Sequence, residues 1–282
     1  MQVDTAILSH KYYDYEDATL KFEKMEERVV MKKRAVITGA SAGLGAEFAR
    51  RLSVKGYSLV LVARREERLK KLASHLKTEC KVIAADLTRE SECRRVFNLI
   101  KEKEIDIFIN NAGFGDCGRF TETDLGKELN MIQLNIKAVH IFTKLMLQKM
   151  QKQNFGYILN VASCAGLMPA GPYMATYYAT KAYVTSFTRA VAEELRACGS
   201  HIYVGCLCPG PVDTEFNRVA DVRFLMKGIN AGYCVRYALK QMAKRKVVII
   251  PTLPMKLAMS FGHFLPGDIY VRIAANQQER NY

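Results

Sequence analysis

The sequence predicts a doubly wound α/β fold: one parallel sheet of six to seven strands with helices on both faces. Three observations lead to this prediction. Apolar strand-like runs alternate with amphipathic helical stretches from about residue 34 to residue 251. The runs are rich in Val and Ile and almost continuously apolar, as strands buried on both faces are. A glycine-rich turn, TGASAGLG at 38–45, joins the first strand to the first helix, which is typical of Rossmann-type folds.

The seven runs set the expected order of the elements. Predicted strands are RAVITG (34–39), YSLVLVA (57–63), CKVIAADL (80–87), IDIFINNAG (105–113), GYILNVAS (156–163), HIYVGCLCPG (201–210) and KVVIIP (246–251). A helix is expected after each of the first five strands, including a long one over roughly 124–152. Because all the strands belong to one alternation, we expect a single domain over residues 31–282.

The two ends of the chain depart from this alternation. Residues 1–30 hold seven acidic and four basic residues, and an apolar stripe there is compatible with a short amphipathic helix. Alternatively, Met31 is the native start and residues 1–30 are not native, which the intact mass of natively expressed protein would decide. We expect a substrate-capping segment at about 213–245 and a C-terminal segment at about 252–282. The latter is expected to cap the pocket or contact a twin subunit, rather than rest on a membrane.

Composition excludes several classes of function. The net charge is +14, but the basic residues are dispersed and no nucleic-acid-binding motif appears, so we expect no nucleic-acid partner. The most apolar stretch, 247–266, contains three prolines and a lysine, which argues against a membrane span. Eight cysteines form no C-x-x-C pair and no secretory signal precedes them, so a cytoplasmic protein with reduced thiols is expected. The five histidines match no metal spacing, and we predict no metal site.

The glycine-rich turn predicts a phosphate-binding loop. Glycines let the backbone turn tightly and approach a pyrophosphate, while the following helix offers its N-terminal N–H groups to the anion. The spacing is G-x-x-x-G-x-G, and the residues expected to contact the cofactor are Gly39, Ser41, Gly43, Leu44 and Gly45.

The end of the second strand predicts which dinucleotide binds. An acidic residue there would favour NAD(H) by bonding the ribose 2′-hydroxyl. This chain has Arg64 and Arg65 instead, and arginine can bind a 2′-phosphate. NADP(H) is therefore expected rather than NAD(H). The alternative is that both arginines only begin the next helix in solvent.

A tyrosine–lysine pair predicts proton transfer. Tyr177 and Lys181 lie four residues apart, so they share one helix face, and a nearby ammonium is expected to lower the phenol pKa from about 10. Tyr178 is about 100° around the helix from Tyr177, so we expect it to pack or form substrate wall and not to point into the same site. Ser163 ends the fifth strand, where the ligand crevice of such sheets lies.

Seven motifs in order resemble the short-chain dehydrogenase/reductase family over most of residues 34–215. They are TGASAGLG, AADLT (84–88), NNAG (110–113), QLNIKAV (133–139), NVAS (160–163), YYATK (177–181) and PGPVDT (209–214). The stretch from NVAS to TSF (160–187) is most similar to the DltE-like branch. The resemblance implies a catalytic tetrad of Asn135, Ser163, Tyr177 and Lys181, in which Asn135 holds a water linked to the lysine.

The same resemblance implies further cofactor contacts. It places Asp86, with Leu87 beside it, at the adenine and Asn111 beside the adenosine half of the cofactor. Lys181 would also bond the nicotinamide ribose, next to Tyr177. The stretch that would wrap the nicotinamide carboxamide contributes Pro209, Val212 and Thr214.

The implied activity is NADP(H)-dependent interconversion of a carbonyl and a secondary alcohol. Segments rich in Met, Leu, Phe and Tyr follow Ser163 and Thr214, so we expect an apolar substrate such as a steroid, a fatty acyl chain or a similar ketone. A homodimer or homotetramer is expected. The alternative is an NADP(H)-binding sensor on the same fold without turnover. A nucleotide-sugar epimerase is disfavoured, because the glycine spacing differs and no longer C-terminal domain follows.

Overall fold

The computed structural model describes residues 33–216, 220, 228–262 and 266–279. The hypotheses on residues 1–30 and on Met31 lie outside these residues, as do 217–219 and 221–227 of the expected capping segment. The boundaries given above for the domain and its segments stay predictions.

Within the described residues, the structure has one parallel sheet of seven strands, which confirms the predicted doubly wound sheet. Its strands are β1 (Arg34–Thr38), β2 (Ser58–Ala63), β3 (Cys80–Ala84), β4 (Ile107–Asn110), β5 (Tyr157–Val161), β6 (Tyr203–Leu207) and β9 (Val248–Ile249). They lie in the order β3-β2-β1-β4-β5-β6-β9, and the register pairs Val36 of β1 with Val60 of β2 on one side and with Phe108 of β4 on the other. A separate parallel ladder joins β7 (Val212–Asp213) to β8 (Ile229–Asn230).

The helices follow the strands as expected, with local signals at their ends. Asp124 accepts a hydrogen bond from the Lys127 N–H at the start of α4, and Asn230 accepts one from the Tyr233 N–H at the start of α7. The helices are α1 (Gly43–Val54), α2 (Glu66–Ala73), α3 (Glu90–Ile100), α4 (Leu125–Ile132), α5 (Val139–Gln153), α6 (Ala175–Ala197), α7 (Ala231–Ala243), α8 (Leu253–Gly262) and α9 (Gly267–Glu279).

The long helix predicted over 124–152 is interrupted. A π-helical turn, Gln133–Ala138, separates α4 from α5 and contains Asn135. Insertions of this kind inside helices are frequent at functional sites, because they re-aim a side chain without ending the helix.

Two apolar layers bury the sheet on both faces, which explains the nearly continuous apolar strands. Ile37 of β1 faces the layer that contains Phe48 of α1, whereas its neighbour Val36 faces the layer that contains Phe142 of α5. All four side chains are fully buried. Burying a side chain of this size contributes about 1.5–3 kcal/mol.

The strand order reverses between β1 and β4, and ligands bind at such switch points in open α/β sheets. Thr38, at the end of β1, ties the two strand ends together. Its hydroxyl accepts hydrogen bonds from the N–H groups of Asn111 and Ala112, at 2.9 and 3.0 Å, and donates to the Ile109 carbonyl.

Among the helices in the described part of the chain, none has the length and apolar character needed to cross a membrane.

Candidate active site

A cavity of about 480 Å³ opens at the carboxyl ends of the strands, beside the β1–β4 switch point. It is lined by residues of the glycine-rich loop, the end of β2, the end of β5 and the start of α6. Fifteen of the predicted site residues line it: Gly39, Ser41, Gly43, Leu44, Arg64, Arg65, Asp86, Leu87, Asn111, Ser163, Tyr177, Lys181, Pro209, Val212 and Thr214. Gly45 and Asn135, also predicted, do not line it.

The glycine-rich loop needs its glycines for two different reasons. Gly39 and Gly43 have φ values of +65° and +53°, a region that favours glycine. A Cβ on Gly39 would also lie 2.8 Å from the Cα of Ala112. Gly45 is not among the residues that line the cavity. A Cβ there would collide with the carbonyl oxygen of Gly39, so glycine at this position allows α1 to pack closely against the loop. Its predicted contact with the cofactor stays a prediction.

Asn111 forms hydrogen bonds to the backbone at the start of the same loop. Its side-chain nitrogen donates to the carbonyl oxygens of Thr38 and Gly39, at 3.0 and 3.2 Å. These bonds fix the end of β1 where it turns into the loop. Asp86 has a comparable local role, since its Oδ1 accepts from both the N–H and the hydroxyl of Thr88. Both side chains also face the cavity, where the adenosine half of a cofactor was predicted.

The two arginines at the end of β2 both line the cavity. Arg65 reaches back to the loop, where its Nη2 and Nε lie 3.1 and 3.3 Å from the Ser41 hydroxyl. Its Nη1 donates to the carboxylate of Glu215 at 3.2 Å. The glycine loop, the helix start behind it and this wall together fit a nicotinamide dinucleotide.

Ser163, Tyr177 and Lys181 meet on the opposite side of the cavity. Tyr177 is buried, and the Lys181 Nζ lies 5.8 Å from the centre of its ring. Lys181 donates to the Val161 carbonyl at 2.9 Å, which anchors its ammonium at the end of β5. Ser163 caps a short 3-10 turn, because its hydroxyl accepts from the Ala165 N–H at 3.2 Å.

The expected effect of the lysine on the tyrosine is not what the structure shows. Burial raises the pKa of Tyr177 well above its usual value, and the hydrogen bond with Ser163 only partly opposes this. Burial also lowers the pKa of Lys181 to about 8. Desolvation disfavours both charged forms, and the spacing of two residues along a helix carries no information about burial.

The depressed lysine pKa predicts a pH-dependent stability. Below about pH 8 the folded protein holds a buried Lys181 ammonium, which lowers its free energy of unfolding. Between about pH 8 and 10.5 the folded protein has lost that proton and the unfolded chain still keeps it, so the free energy of unfolding rises with pH. Lys181→Met has no ammonium at any pH and so lacks this pH dependence. We expect the unfolding free energy of wild type minus that of Lys181→Met to rise by about 3 kcal/mol over this range. Urea unfolding of both proteins at a series of pH values measures it, and a constant difference would contradict the prediction.

Asn135 lies behind the cavity wall and is fully buried. Its Nδ2 donates to the Phe114 carbonyl at 2.8 Å and to the Thr180 hydroxyl at 3.1 Å, and its Oδ1 accepts from the Phe114 N–H. Thr180 in turn donates to the Tyr177 carbonyl at 2.8 Å. The amide thus joins the loop after β4 to the helix that carries Tyr177. A Cβ on Gly113 would lie 2.9 Å from Asn135 Oδ1 and 3.4 Å from Lys181 Nζ, so only this glycine separates the two.

The expectation that Tyr177 and Tyr178 cannot point into one site is wrong. Both line the cavity, with ring centres 6.2 Å apart and ring planes at 77°. The cavity is wide enough to extend around the helix start, and Gly171 leaves room for Tyr178, since a Cβ there would overlap its ring. A helical angle fixes only the direction in which a side chain starts, not the extent of the surface it meets.

Several further residues line the cavity without having been predicted one by one. Gly210 lies in the PGPVDT motif, and Met168, Met174 and Phe216 lie in the apolar segments from which an apolar substrate was predicted. Phe114, Met255 and Ala274 complete the apolar part of the wall. Met255 belongs to α8 and Ala274 to α9, so the C-terminal segment contributes to the cavity wall. Glu215, which also lines the cavity, is the one charged residue there that the sequence motifs did not indicate.

Comparison with known proteins agrees with this site. Residues 33–222 match the family model of the short chain dehydrogenases. The chain belongs to this family. As a short-chain dehydrogenase/reductase it is an oxidoreductase with a nicotinamide cofactor, and the predicted family is confirmed. Its placement in the DltE-like branch stays a prediction.

Three relatives illustrate the range of the likeness. An uncharacterized oxidoreductase of Staphylococcus epidermidis is 36% identical over 216 residues, which cover 75% of this chain and 93% of that protein. A very-long-chain 3-oxoacyl-CoA reductase of Neurospora crassa is 36% identical over 179 residues, 60% of this chain and 54% of that one. A short-chain dehydrogenase from Sphingobium yanoikuyae, solved in complex with NADPH, superposes with a TM-score of 0.75 at 31% identity, covering 82% of this chain and 93% of that one.

Proposed function

We propose that this short-chain dehydrogenase/reductase interconverts a carbonyl and a secondary alcohol on an apolar substrate, with NADP(H) as cofactor. One observation carries the proposal: Ser163, Tyr177 and Lys181 line the same cavity as the glycine-rich loop. A nucleotide lying along the loop can therefore reach the three side chains without any rearrangement of the sheet.

The preference for NADP(H) rests on the end of β2. Arg64 and Arg65 supply two guanidinium groups at the position where a 2′-hydroxyl-binding carboxylate would favour NAD(H). Arg65 is already oriented by the Ser41 hydroxyl, so less ordering is needed when a phosphate binds. The NADPH complex of the Sphingobium relative supports the same choice.

The chemistry divides between these side chains and the cofactor, which supplies the hydride when it is bound. The Ser163 hydroxyl holds the substrate oxygen and stabilises the charge that develops on it. Tyr177 gives its phenolic proton to that oxygen in reduction and receives it in oxidation. A phenol with a raised pKa is protonated at neutral pH, so the proton needed for reduction is present, but giving it up requires stabilisation of the phenolate that is left.

Lys181 and Asn135 act around this proton. Lys181 stands beside the Tyr177 ring, where its ammonium can stabilise the phenolate once the proton has left. Asn135 positions the Tyr177 helix through Thr180 and holds the loop at Phe114. Its implied role as holder of a water linked to the lysine stays a prediction.

The substrate class rests on the far wall of the cavity. Phe216 lies against Tyr177 with ring centres 5.5 Å apart, and three methionines from two segments, Met168 and Met174 before α6 and Met255 on α8, complete the surface. Methionine adapts to irregular apolar shapes, so this wall suits a long or bulky hydrocarbon better than a small polar carbonyl. The Neurospora relative, a very-long-chain 3-oxoacyl-CoA reductase, supports a fatty acyl substrate among the predicted classes.

The alternative is a cofactor-sensing protein without turnover. A sensor could use Lys181 to bind the nicotinamide ribose, but a buried tyrosine hydroxyl held beside Ser163 is needed only if a proton is transferred. The convergence of the three side chains therefore favours catalysis.

Predicted homo-oligomerisation finds support on α4. Leu125, Leu129 and Ile132 are spaced along one face of this helix and are 67, 51 and 38% exposed. Apolar stripes of this kind are typical of subunit contacts. Whether the protein is a homodimer or a homotetramer stays a prediction.

A panel of carbonyl substrates tests the proposed function. Oxidation of NADPH, and separately of NADH, is followed with aliphatic ketones, oxosteroids and 3-oxoacyl thioesters of increasing chain length. We expect turnover with at least one apolar substrate. We also expect kcat/KM to be at least about tenfold higher with NADPH than with NADH, because a charge-assisted hydrogen bond to the 2′-phosphate contributes an effect of this size. Tight NADPH binding without turnover on any carbonyl would favour the sensor. Equal use of the two cofactors would contradict the 2′-phosphate assignment.

A further inference from the structure

Glu215 occupies the wall that the 2′-phosphate is proposed to use. It follows Thr214, just beyond β7, and its carboxylate accepts from Arg65 Nη1 at 3.2 Å. Arg68 of α2 donates to the same carboxylate, with its Nη1 2.9 Å from each oxygen. The Arg65 guanidinium therefore donates both to the Ser41 hydroxyl of the glycine-rich loop and to the Glu215 carboxylate.

The backbone at Glu215 is held on both sides. Val212 of β7 pairs with Ile229 of β8, and the Phe216 N–H donates to the Thr214 hydroxyl at 3.3 Å. Thr214 also stands close to the glycine-rich loop, since a Cβ on Gly43 would lie 3.4 Å from its Cβ. The carboxylate is thus brought to the arginines by the short chain segment that follows β7.

The ion pairs themselves are exposed. The side chains of Arg65, Arg68 and Glu215 keep 45, 47 and 32% of their surface open to solvent. Exposed pairs of single charges are weak, whereas a phosphate brings nearly two charges and more acceptor oxygens to the same guanidinium. The Arg68 guanidinium holds the pKa of Glu215 below its usual range, so the carboxylate is charged at neutral pH.

We infer that Glu215 is a specificity-determining residue that competes with the 2′-phosphate of NADP(H) for Arg65 and so limits the affinity for the phosphorylated cofactor. The inference rests on the proposed function, in which Arg64 and Arg65 bind that phosphate. In the free protein the carboxylate neutralises Arg65. When the phosphate arrives, it takes over Arg65, and Glu215 keeps its contact with Arg68. NAD(H) does not present a phosphate at this position and leaves the Glu215–Arg65 pair intact.

Two small nucleotides isolate this effect from catalysis. Adenosine 2′,5′-bisphosphate and adenosine 5′-monophosphate differ only in the 2′-phosphate, and calorimetric titration gives the Kd of each for wild type and for Glu215→Gln. Glutamine keeps the size of the side chain and removes its charge. We expect Glu215→Gln to bind the bisphosphate about fivefold more tightly, the size of one exposed charge interaction, and the monophosphate within twofold of wild type.

Glu67→Gln is the matched control. Glu67 lies on α2, one residue before Arg68, is 85% exposed and pairs with Lys70, so the variant makes the same change in net charge. We expect its two Kd values to stay within twofold of wild type. If Glu215→Gln bound the bisphosphate more weakly than wild type, the carboxylate would be orienting Arg65 for the phosphate. If the Kd were unchanged, the carboxylate would have no role in binding. Either result overturns the inference. If wild type does not distinguish the two nucleotides, the proposed NADP(H) preference fails instead. Thermal melting of each variant confirms that it is folded.

Discussion

Replacing Tyr177 with phenylalanine is expected to lower kcat by about a hundredfold to ten-thousandfold, the contribution of a positioned proton donor. The substitution removes the phenolic hydroxyl and keeps the ring. The ring packs against Phe216 and is 7% exposed, so the fold and the cavity wall are retained. Steady-state kinetics with the best substrate of the panel measures the loss. Titration of the variant with NADPH should give a Kd close to that of wild type, which separates loss of chemistry from loss of binding.

Tyr178→Phe is the control built into the chain. Tyr178 also lines the cavity and lies next to Tyr177 in the sequence, but only Tyr177 has the four-residue spacing to Lys181, whose Nζ lies 5.8 Å from its ring centre. We expect Tyr178→Phe to keep most of the activity. If Tyr178→Phe lost turnover and Tyr177→Phe kept it, the assignment of the proton donor would be wrong, because both variants lose the same hydroxyl group.

Replacing Gly45 with alanine is expected to disable the phosphate-binding loop. A Cβ at this position meets the carbonyl oxygen of Gly39, which is backbone and cannot rotate away. Either α1 or the loop must shift, and forcing an extra methyl group into a packed site costs about 1–3 kcal/mol. We expect a loss of that size in the free energy of unfolding, and a Kd for NADPH that rises about tenfold to a hundredfold. Urea unfolding and fluorescence titration measure the two effects.

Gly267→Ala controls for the general effect of adding a methyl group. Gly267 begins α9, and a Cβ there meets no atom within 4 Å. Alanine favours a helix over glycine, so unchanged or slightly raised stability is expected, with unchanged NADPH affinity. Wild-type affinity in Gly45→Ala would show that the loop tolerates the shift and that the third glycine of the spacing has no packing role.

Much of the catalytic end followed from local sequence. Tyr177 and Lys181 share a helix face because α6 is regular over this stretch, and Ser163 lies two residues beyond β5 because a parallel strand carries its chain to the same edge as the others. Asn135 was harder to place. Its position depends on the π-helical turn, which shifts the register of the helix and turns the amide toward Phe114 and Thr180.

The pKa of Tyr177 is a second property that the local sequence could not predict. The four-residue spacing correctly brought an ammonium near a phenol, but the sign of the shift depends on how much water the packed residues exclude. That quantity is a sum over segments distant in the sequence, including the loop at Phe114 and the residue Phe216 beyond β7.

By itself, the sequence determined the alternation of strands and helices, the glycine-rich turn and the order of the family motifs. These are local patterns, each contained in a short window, and strand burial on both faces leaves a continuous apolar signature. Only the tertiary structure decided that Gly45 packs against the Gly39 carbonyl, that Tyr178 shares the cavity with Tyr177, and that Glu215 reaches Arg65 and Arg68. The Glu215 contacts join segments about 150 residues apart in the chain, which no local pattern encodes.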